Sequence, residues 1–360
     1  MSHSFEHGGT IFAVARQLGL APEELLDFSA SINPLGPAPG VRAAVADAFD
    51  RTSHYPDSGS VELRQALAAY HGVPPEQLCV ANGSTELIHL LPRLQRFTRK
   101  RALLLAPTFS EYAHSLELCG WSYDYLILPA DAGFPLDLAK VQAALATGQY
   151  DLLFLCNPGN PTGRIYTREE VGGLLSLCTD AGCFCVLDEA FMDFCEEGSA
   201  RQLIIQEESA LILRSMTKFF GFPGLRLGYA FGPPEVIAEL ERLRPPWSVG
   251  VLAQAAGVAA LSDLDHARKT RRLVAAERQR LTERLQSMAS LKVYAGAANY
   301  LLVEIRAGLD ATELQRLLQE QRILIRNCSN FVGLDERFFR VAVRSWKEND
   351  LLMSSLSCFP

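Results

Sequence analysis

A mainly parallel β-sheet with helices on both faces, joined to a smaller α+β domain, is the fold this sequence predicts. Three observations carry that expectation. Short runs apolar at every position recur through the middle of the chain, amphipathic helical stretches lie between them, and the pattern changes after Pro245-Pro246. Strands apolar on both faces and separated by helices belong to a parallel sheet whose connections cross over it.

In chain order, Ala102-Leu103-Leu104-Leu105 is the first such strand, followed by a Pro107-Thr108 turn. Leu152 to Cys156 is the second, closed by Asn157-Pro158-Gly159-Asn160-Pro161. Cys183 to Leu187 is the third and Ala210 to Leu213 the fourth. Thr167 to Cys178 reads as a helix, because Val171, Leu174, Leu175 and Cys178 fall on one face. Beyond Pro246 one long helix from about Leu252 to Met288, rich in Arg, Glu and Ala, leads to shorter strands at Tyr300 to Ile305, Ile323 to Arg326 and Phe339 to Val343. The expected division is an N-terminal arm over 1–45 packing with the small domain, a large domain over 46–248 and a small domain over 249–360.

At 360 residues the chain exceeds what one compact core usually takes, and two domains sharing a site are expected. A hydrophobic share of 48% and a charged share of 21% suit a folded enzyme and exclude a disordered chain. The net charge of −7, with no basic run longer than Arg99-Lys100-Arg101, argues against a nucleic-acid partner. No signal peptide is expected from Met1 to Glu6, and no apolar run approaches the roughly 20 residues that span a bilayer. Nine cysteines occur without CxxC spacing or an accompanying histidine pair. They read as reduced core thiols in a cytoplasm-like compartment, and no metal site is expected.

Ligands of open parallel sheets collect at the carboxyl ends of the strands. Three polar clusters fall there: Asn157 to Gly163, Asp188-Glu189-Ala190, and Arg214-Ser215-Met216-Thr217-Lys218. Each alone reads as a turn, a helix cap or a solvated lysine. In this order, with Arg226 eight residues past Lys218, they resemble the aspartate-aminotransferase (fold type I) superfamily of pyridoxal-phosphate enzymes. The resemblance runs over nearly the whole chain. It implies a sheet of the seven-stranded type, pyridoxal 5′-phosphate as cofactor, and a homodimer.

It also implies roles for single residues. Lys218 matches the Schiff-base lysine, whose amine must reach the cofactor aldehyde and later move protons. Asp188 matches the carboxylate that keeps the pyridine nitrogen protonated, and Asn157 the donor to the ring hydroxyl. Gly83-Ser84-Thr85 resembles a phosphate-binding turn at a helix N-terminus, with Ser215, Thr217 and Arg226 on the same phosphate. Tyr112 is expected to stack on the ring, with Phe109 as the alternative. Tyr55 matches a tyrosine that reaches the partner subunit's cofactor phosphate.

Within the superfamily the chain is similar to the branch holding histidinol-phosphate aminotransferases and the L-threonine-O-3-phosphate decarboxylases of cobalamin biosynthesis. Arg340 matches the arginine for a substrate carboxylate, Arg326 is better placed for a substrate phosphate, and Arg344 reads as a surface salt bridge. Four features lean towards decarboxylation: His7-Gly8-Gly9 beside a substrate phosphate; the segment Asp27 to Gly36, with Ser31 and Asn33 towards substrate; Ile325 to Phe331; and Phe191, where transaminases carry a tyrosine. Thr10 stands where that branch has an asparagine. The alternatives are an aminotransferase of the histidinol-phosphate type and a non-catalytic binding or regulatory relative. The intact set Asn157, Asp188, Lys218 and Arg226 argues against the last.

Overall fold

The computed structural model describes residues 8–205 and 207–358. Its centre is a seven-stranded sheet in the order Leu78–Ala81, Gly228–Phe231, Ala210–Ser215, Phe184–Asp188, Leu152–Cys156, Arg101–Ala106, Ser122–Ile127. Only Gly228–Phe231 runs antiparallel to its neighbours. Because side chains alternate across a strand, the apolar runs supply two cores at once. Leu103, Leu105, Leu153, Leu155, Leu187 and Ile212 enter one core. Leu104, Leu152, Phe154, Val186, Leu211 and Leu213 enter the other, on the opposite face.

The helix Arg168–Asp180 covers the first of these cores with the four residues whose spacing predicts it, Val171, Leu174, Leu175 and Cys178. It starts where a capping box allows. Thr167 Oγ1 accepts from the Glu170 N–H at 3.1 Å, and the Glu170 carboxylate accepts from the Thr167 N–H at 2.7 Å.

Three strands of this sheet lie outside the sequence expectation. Leu78–Ala81 and Gly228–Phe231 are only four residues each. Ser122–Ile127 is a half-exposed edge strand carrying Tyr123, Asp124 and Tyr125, so it has no wholly apolar run to betray it. The expected long helix is two helices, Val251–Ser262 and Leu264–Gln286. Asp263 separates them, and its carboxylate accepts from the His266 N–H at 2.9 Å, starting the second helix afresh.

The expected strand Ile323 to Arg326 also divides. Ile323–Leu324 pairs parallel with Leu26–Asp27, whereas Arg326–Asn327 joins an antiparallel sheet with Phe338–Ala342, Tyr300–Ile305 and Leu291–Val293. The first pairing ties the N-terminal segment to the late part of the chain. The second places Arg326 directly opposite Arg340 in register. Most cysteines are buried, Cys119 and Cys358 being the accessible ones. Among the described residues no helix is long and apolar enough to cross a membrane.

Candidate active site

Parallel register brings the strand ends level. Cys156 pairs with Asp188 and Asp188 with Leu213, so the residues just beyond the last, Ser215 to Lys218, emerge beside them. They border a cavity of about 740 Å³ between the large sheet and the late antiparallel sheet, a size typical of small-molecule sites. Asp188, Ser215, Thr217 and Lys218 line it from the large sheet, and Arg326 and Arg340 from the smaller one. Gly8, Gly9 and Ser31 line it from the N-terminal segment. His7 lies outside the described residues.

Lys218 stands at the convergence of these elements. Loss of solvation pushes its amine down to about 8 from the ordinary 10.5, Arg340 and Arg226 add to the shift, and Asp188 opposes it. About one-tenth of the amine is then neutral at pH 7, against less than about one-thousandth for an ordinary lysine, and the neutral form is the nucleophile. Burial pushes the Asp188 carboxyl above its usual range, while the Tyr112 hydroxyl, the Ala190 N–H and Lys218 pull it back. The Tyr112 hydroxyl donates to Asp188 Oδ2 at 2.6 Å and the Ala190 N–H to Oδ1 at 3.0 Å. The neighbouring Glu189 turns the other way and pairs with Arg214 at 2.9 Å, both wholly buried, which anchors the turn beneath Asp188.

Tyr112 is therefore placed differently from the expectation. It is wholly buried and stacks on Phe154 at 4.6 Å between ring centroids, under the sheet end. Phe109, the alternative, lines the cavity. Phe109 precedes the helix Glu111–Leu118 and lines the opening, whereas Tyr112 sits in its first turn with its ring in the core.

Asn157 is wholly buried and spans the backbone of Tyr166, accepting from its N–H at 2.9 Å; the flanking Cys156 and Asn160 line the cavity instead. Asn33 is also structural. Its amide donates to the Phe219 carbonyl at 2.8 Å and to Thr270 Oγ1 at 3.0 Å, which locks the N-terminal segment onto the loop after Lys218. Tyr55 stands apart, 79% exposed and stacked on Trp247.

The helix Gly83–Leu90 points its N-terminus at the cavity, which Ser84 and Thr85 line, with Arg226 at the rim. Gly83 has φ +76°, and a Cβ there would lie 3.0 Å from Arg226 Nη2. A Cβ on Gly228 would lie 2.2 Å from the Ser84 nitrogen, so glycine at 228 lets that turn rest on the sheet. Backbone donors at a helix start, the hydroxyls of Ser84, Thr85, Ser215 and Thr217, and a guanidinium make a cradle for a dianion. With an amine and a buried carboxylate beside it, this donor set fits pyridoxal 5′-phosphate.

Across the cavity, Arg340 donates to Asn160 Oδ1 and to the Ser29 carbonyl, the latter at 3.1 Å, and its Cζ lies 4.9 Å from the Tyr300 ring centroid. Its Nε is buried with no hydrogen-bond partner among the described residues, as is the Ser31 hydroxyl. Arg326 donates to the Asn327 carbonyl and to Asn330 Oδ1 and lies over Phe331. A Cβ on Gly8 would lie 2.4 Å from the Ser29 carbonyl oxygen, and the Gly9 N–H donates to Ser29 Oγ at 3.0 Å. Asp27 supports this turn, its Oδ1 accepting from the Ser29 N–H at 2.7 Å. Asp27, Ser29 and Asn160 thus position the site; they lie in the segments Asp27 to Gly36 and Asn157 to Gly163, where the sequence reading assigns them no individual role, although Asp27-Phe28-Ser29 is an Asx-turn pattern. Arg344 pairs with Glu348 at 2.6 Å.

A lysine, a buried carboxylate and a dianion cradle at the carboxyl end of this sheet define a class of pyridoxal-phosphate enzyme. Residues 23–356 match the aminotransferase class I and II family, and the chain belongs to that family. It is 39% identical to the threonine-phosphate decarboxylase of Salmonella typhimurium over 352 residues, 97% of this chain and 95% of that protein. Among solved structures it is similar to the histidinol-phosphate aminotransferase of Clostridium acetobutylicum, with a TM-score of 0.87 and 27% identity over 93% of this chain and 98% of that one. It is also similar to L-threonine-O-3-phosphate decarboxylase of Porphyromonas gingivalis, with a TM-score of 0.79 and 26% identity over 93% of this chain and 99% of that one.

Proposed function

We propose that this chain is a pyridoxal-phosphate-dependent decarboxylase that converts L-threonine O-3-phosphate to (R)-1-amino-2-propanol O-2-phosphate and CO₂, a reaction of cobalamin biosynthesis. The observation that carries the reading is the pair Arg326 and Arg340, buried, opposite each other in register, and both facing the cavity that Lys218 enters. Like charges opposed on a sheet destabilise it, so a substrate with two anionic groups is the natural counterpart. Similarity to the Salmonella decarboxylase supports the choice of substrate.

Bound pyridoxal phosphate supplies an electron sink for the pair released when a bond at the substrate α-carbon breaks. The chain's residues decide which bond that is. Arg340 orients the carboxylate, with Asn160 and the Ser29 carbonyl fixing its guanidinium. Arg326 anchors the phosphate, and Ser31 offers a hydroxyl to either group. Lys218, with its lowered pKa, holds a proton that it delivers to the α-carbon after CO₂ leaves. Phe191, Phe331 and Phe109 keep water from the reacting centre. Phe191 also removes the phenol that transaminases present at this place.

The same reading extends to assembly. Tyr55, exposed and outside this chain's own cavity, completes the phosphate cradle of a second copy in a homodimer, and the enzyme acts in the cytoplasm. The alternative is transamination of histidinol phosphate, favoured by the similarity to the Clostridium structure. Incubating the holoprotein with L-threonine O-3-phosphate should release CO₂ while the cofactor keeps its aldehyde form. No CO₂, together with conversion of the cofactor to its amine form by histidinol phosphate, would replace this reading with the alternative.

A further inference from the structure

Sequence spacing suggests no metal ligands, yet the fold gathers three residues from two helices. His89 lies near the end of the helix Gly83–Leu90, Glu111 opens the helix Glu111–Leu118, and His114 follows one turn on. His89 Nε2 is 2.8 Å from Glu111 Oε2, and His114 Nδ1 is 3.4 Å from the same oxygen. The three ligand atoms all lie within 4.8 Å of one another. The two imidazoles meet edge to face, with centroids 5.5 Å apart, and both nitrogens approach the same carboxylate oxygen.

We propose that His89, Glu111 and His114 bind a divalent d-block cation of the zinc type, which clamps these two helices together. A tetrahedral ion with bonds of about 2.0–2.1 Å holds its ligand atoms roughly 3.3 Å apart. The two separations from Glu111 are within about half an ångström of that, which side-chain torsions supply. Two imidazole nitrogens and one carboxylate oxygen suit zinc or cobalt(II), whereas magnesium and calcium prefer oxygen alone. The Glu111 side chain is 10% exposed and those of His89 and His114 are 26% and 34% exposed. The carboxylate is thus anchored, and the two imidazoles are reachable from solvent.

The position gives the ion a consequence. The helix carrying His89 presents Ser84 to the cofactor cavity at its other end, and Glu111 lines the same cavity two residues past Phe109. An ion here holds the phosphate-binding helix against the segment flanking the ring. It is a structural staple and takes no part in the chemistry. The inference is independent of which substrate the enzyme uses.

Cobalt(II) chloride titrated into chelator-treated holoprotein is the test. One cobalt per chain is expected, with visible d–d bands of a low-symmetry site. No near-ultraviolet thiolate band should appear. His89→Gln and His114→Gln should each weaken binding at least tenfold, and the double variant should abolish it, all with unchanged turnover. Cobalt bound normally by the double variant would overturn the proposal, as would a thiolate band naming a cysteine such as Cys119 or Cys358, or no binding at millimolar metal. Should the variants fold poorly, the unmodified protein still decides. Zinc should raise its thermal midpoint above that in chelator while magnesium does not, and an equal rise with both would count against the site.

Discussion

Replacing Arg326 with methionine removes one cation from the cavity and keeps much of the side chain's bulk over Phe331, whose ring centroid lies 5.1 Å from the guanidinium carbon. Truncating one member of a buried charge pair formed with a ligand costs about 2–5 kcal/mol. That corresponds to roughly a 30- to 5,000-fold loss in kcat/KM. If Arg326 holds the substrate phosphate, the loss falls on threonine phosphate and spares unphosphorylated threonine, which never used the contact. Arg340→Met should impair both substrates, since both carry the α-carboxylate. The free protein responds differently. Arg326 and Arg340 face each other across paired strands, so removing one relieves a like-charge opposition, and the thermal midpoint of the substrate-free variant should hold nearly steady. The assay is CO₂ release from each substrate by each variant. Equal losses on both substrates for Arg326→Met would refute the phosphate role and require the two arginines to be reassigned.

Three further outcomes follow from the site. With its amine pushed down to about 8, Lys218 is roughly one-tenth neutral at pH 7, where an ordinary lysine is below one-thousandth. Cofactor attachment to the apoprotein should therefore speed up about tenfold per pH unit below 8 and level off above it. Borohydride should fix the cofactor on Lys218, and Arg340→Met should move the midpoint upward because a repelling charge is gone; an unmoved midpoint would contradict the assigned cause. Tyr112→Phe deletes the 2.6 Å donor to Asp188 and should destabilise the fold by about 1–3 kcal/mol. It should also raise the Asp188 pKa further and loosen the cofactor, and unchanged urea unfolding and cofactor retention on dialysis would tell against that role. Tyr55→Phe should weaken cofactor retention and leave the fold intact, whereas a fully active monomer in sedimentation at assay concentration would remove Tyr55 from the site.

The large sheet was legible because its central strands are buried on both faces, so hydrophobicity alone marks Arg101–Ala106, Leu152–Cys156, Phe184–Asp188 and Ala210–Ser215. The edge strand Ser122–Ile127 escaped, since an edge mixes polar and apolar residues according to what happens to cover it. The break at Asp263 escaped as well, because the composition on both sides is helical and only the cap shows a new start. The polar residues that border the cavity were legible to the extent that they cluster in short motifs at strand ends.

Local pattern reaches as far as which residues lie on a strand, which face of a helix is apolar and which motif closes an element. These depend on neighbours a few positions away, and the sequence states them directly. Direction and distance across the fold are another matter. That Phe109 rather than Tyr112 faces the cavity, that Asn33 locks two segments together, and that Arg326 meets Arg340 in register depend on how elements far apart in the chain pack. So does the meeting of His89 with Glu111 and His114. Close packing admits few side-chain arrangements, and which one is adopted is settled only when every neighbour is in place.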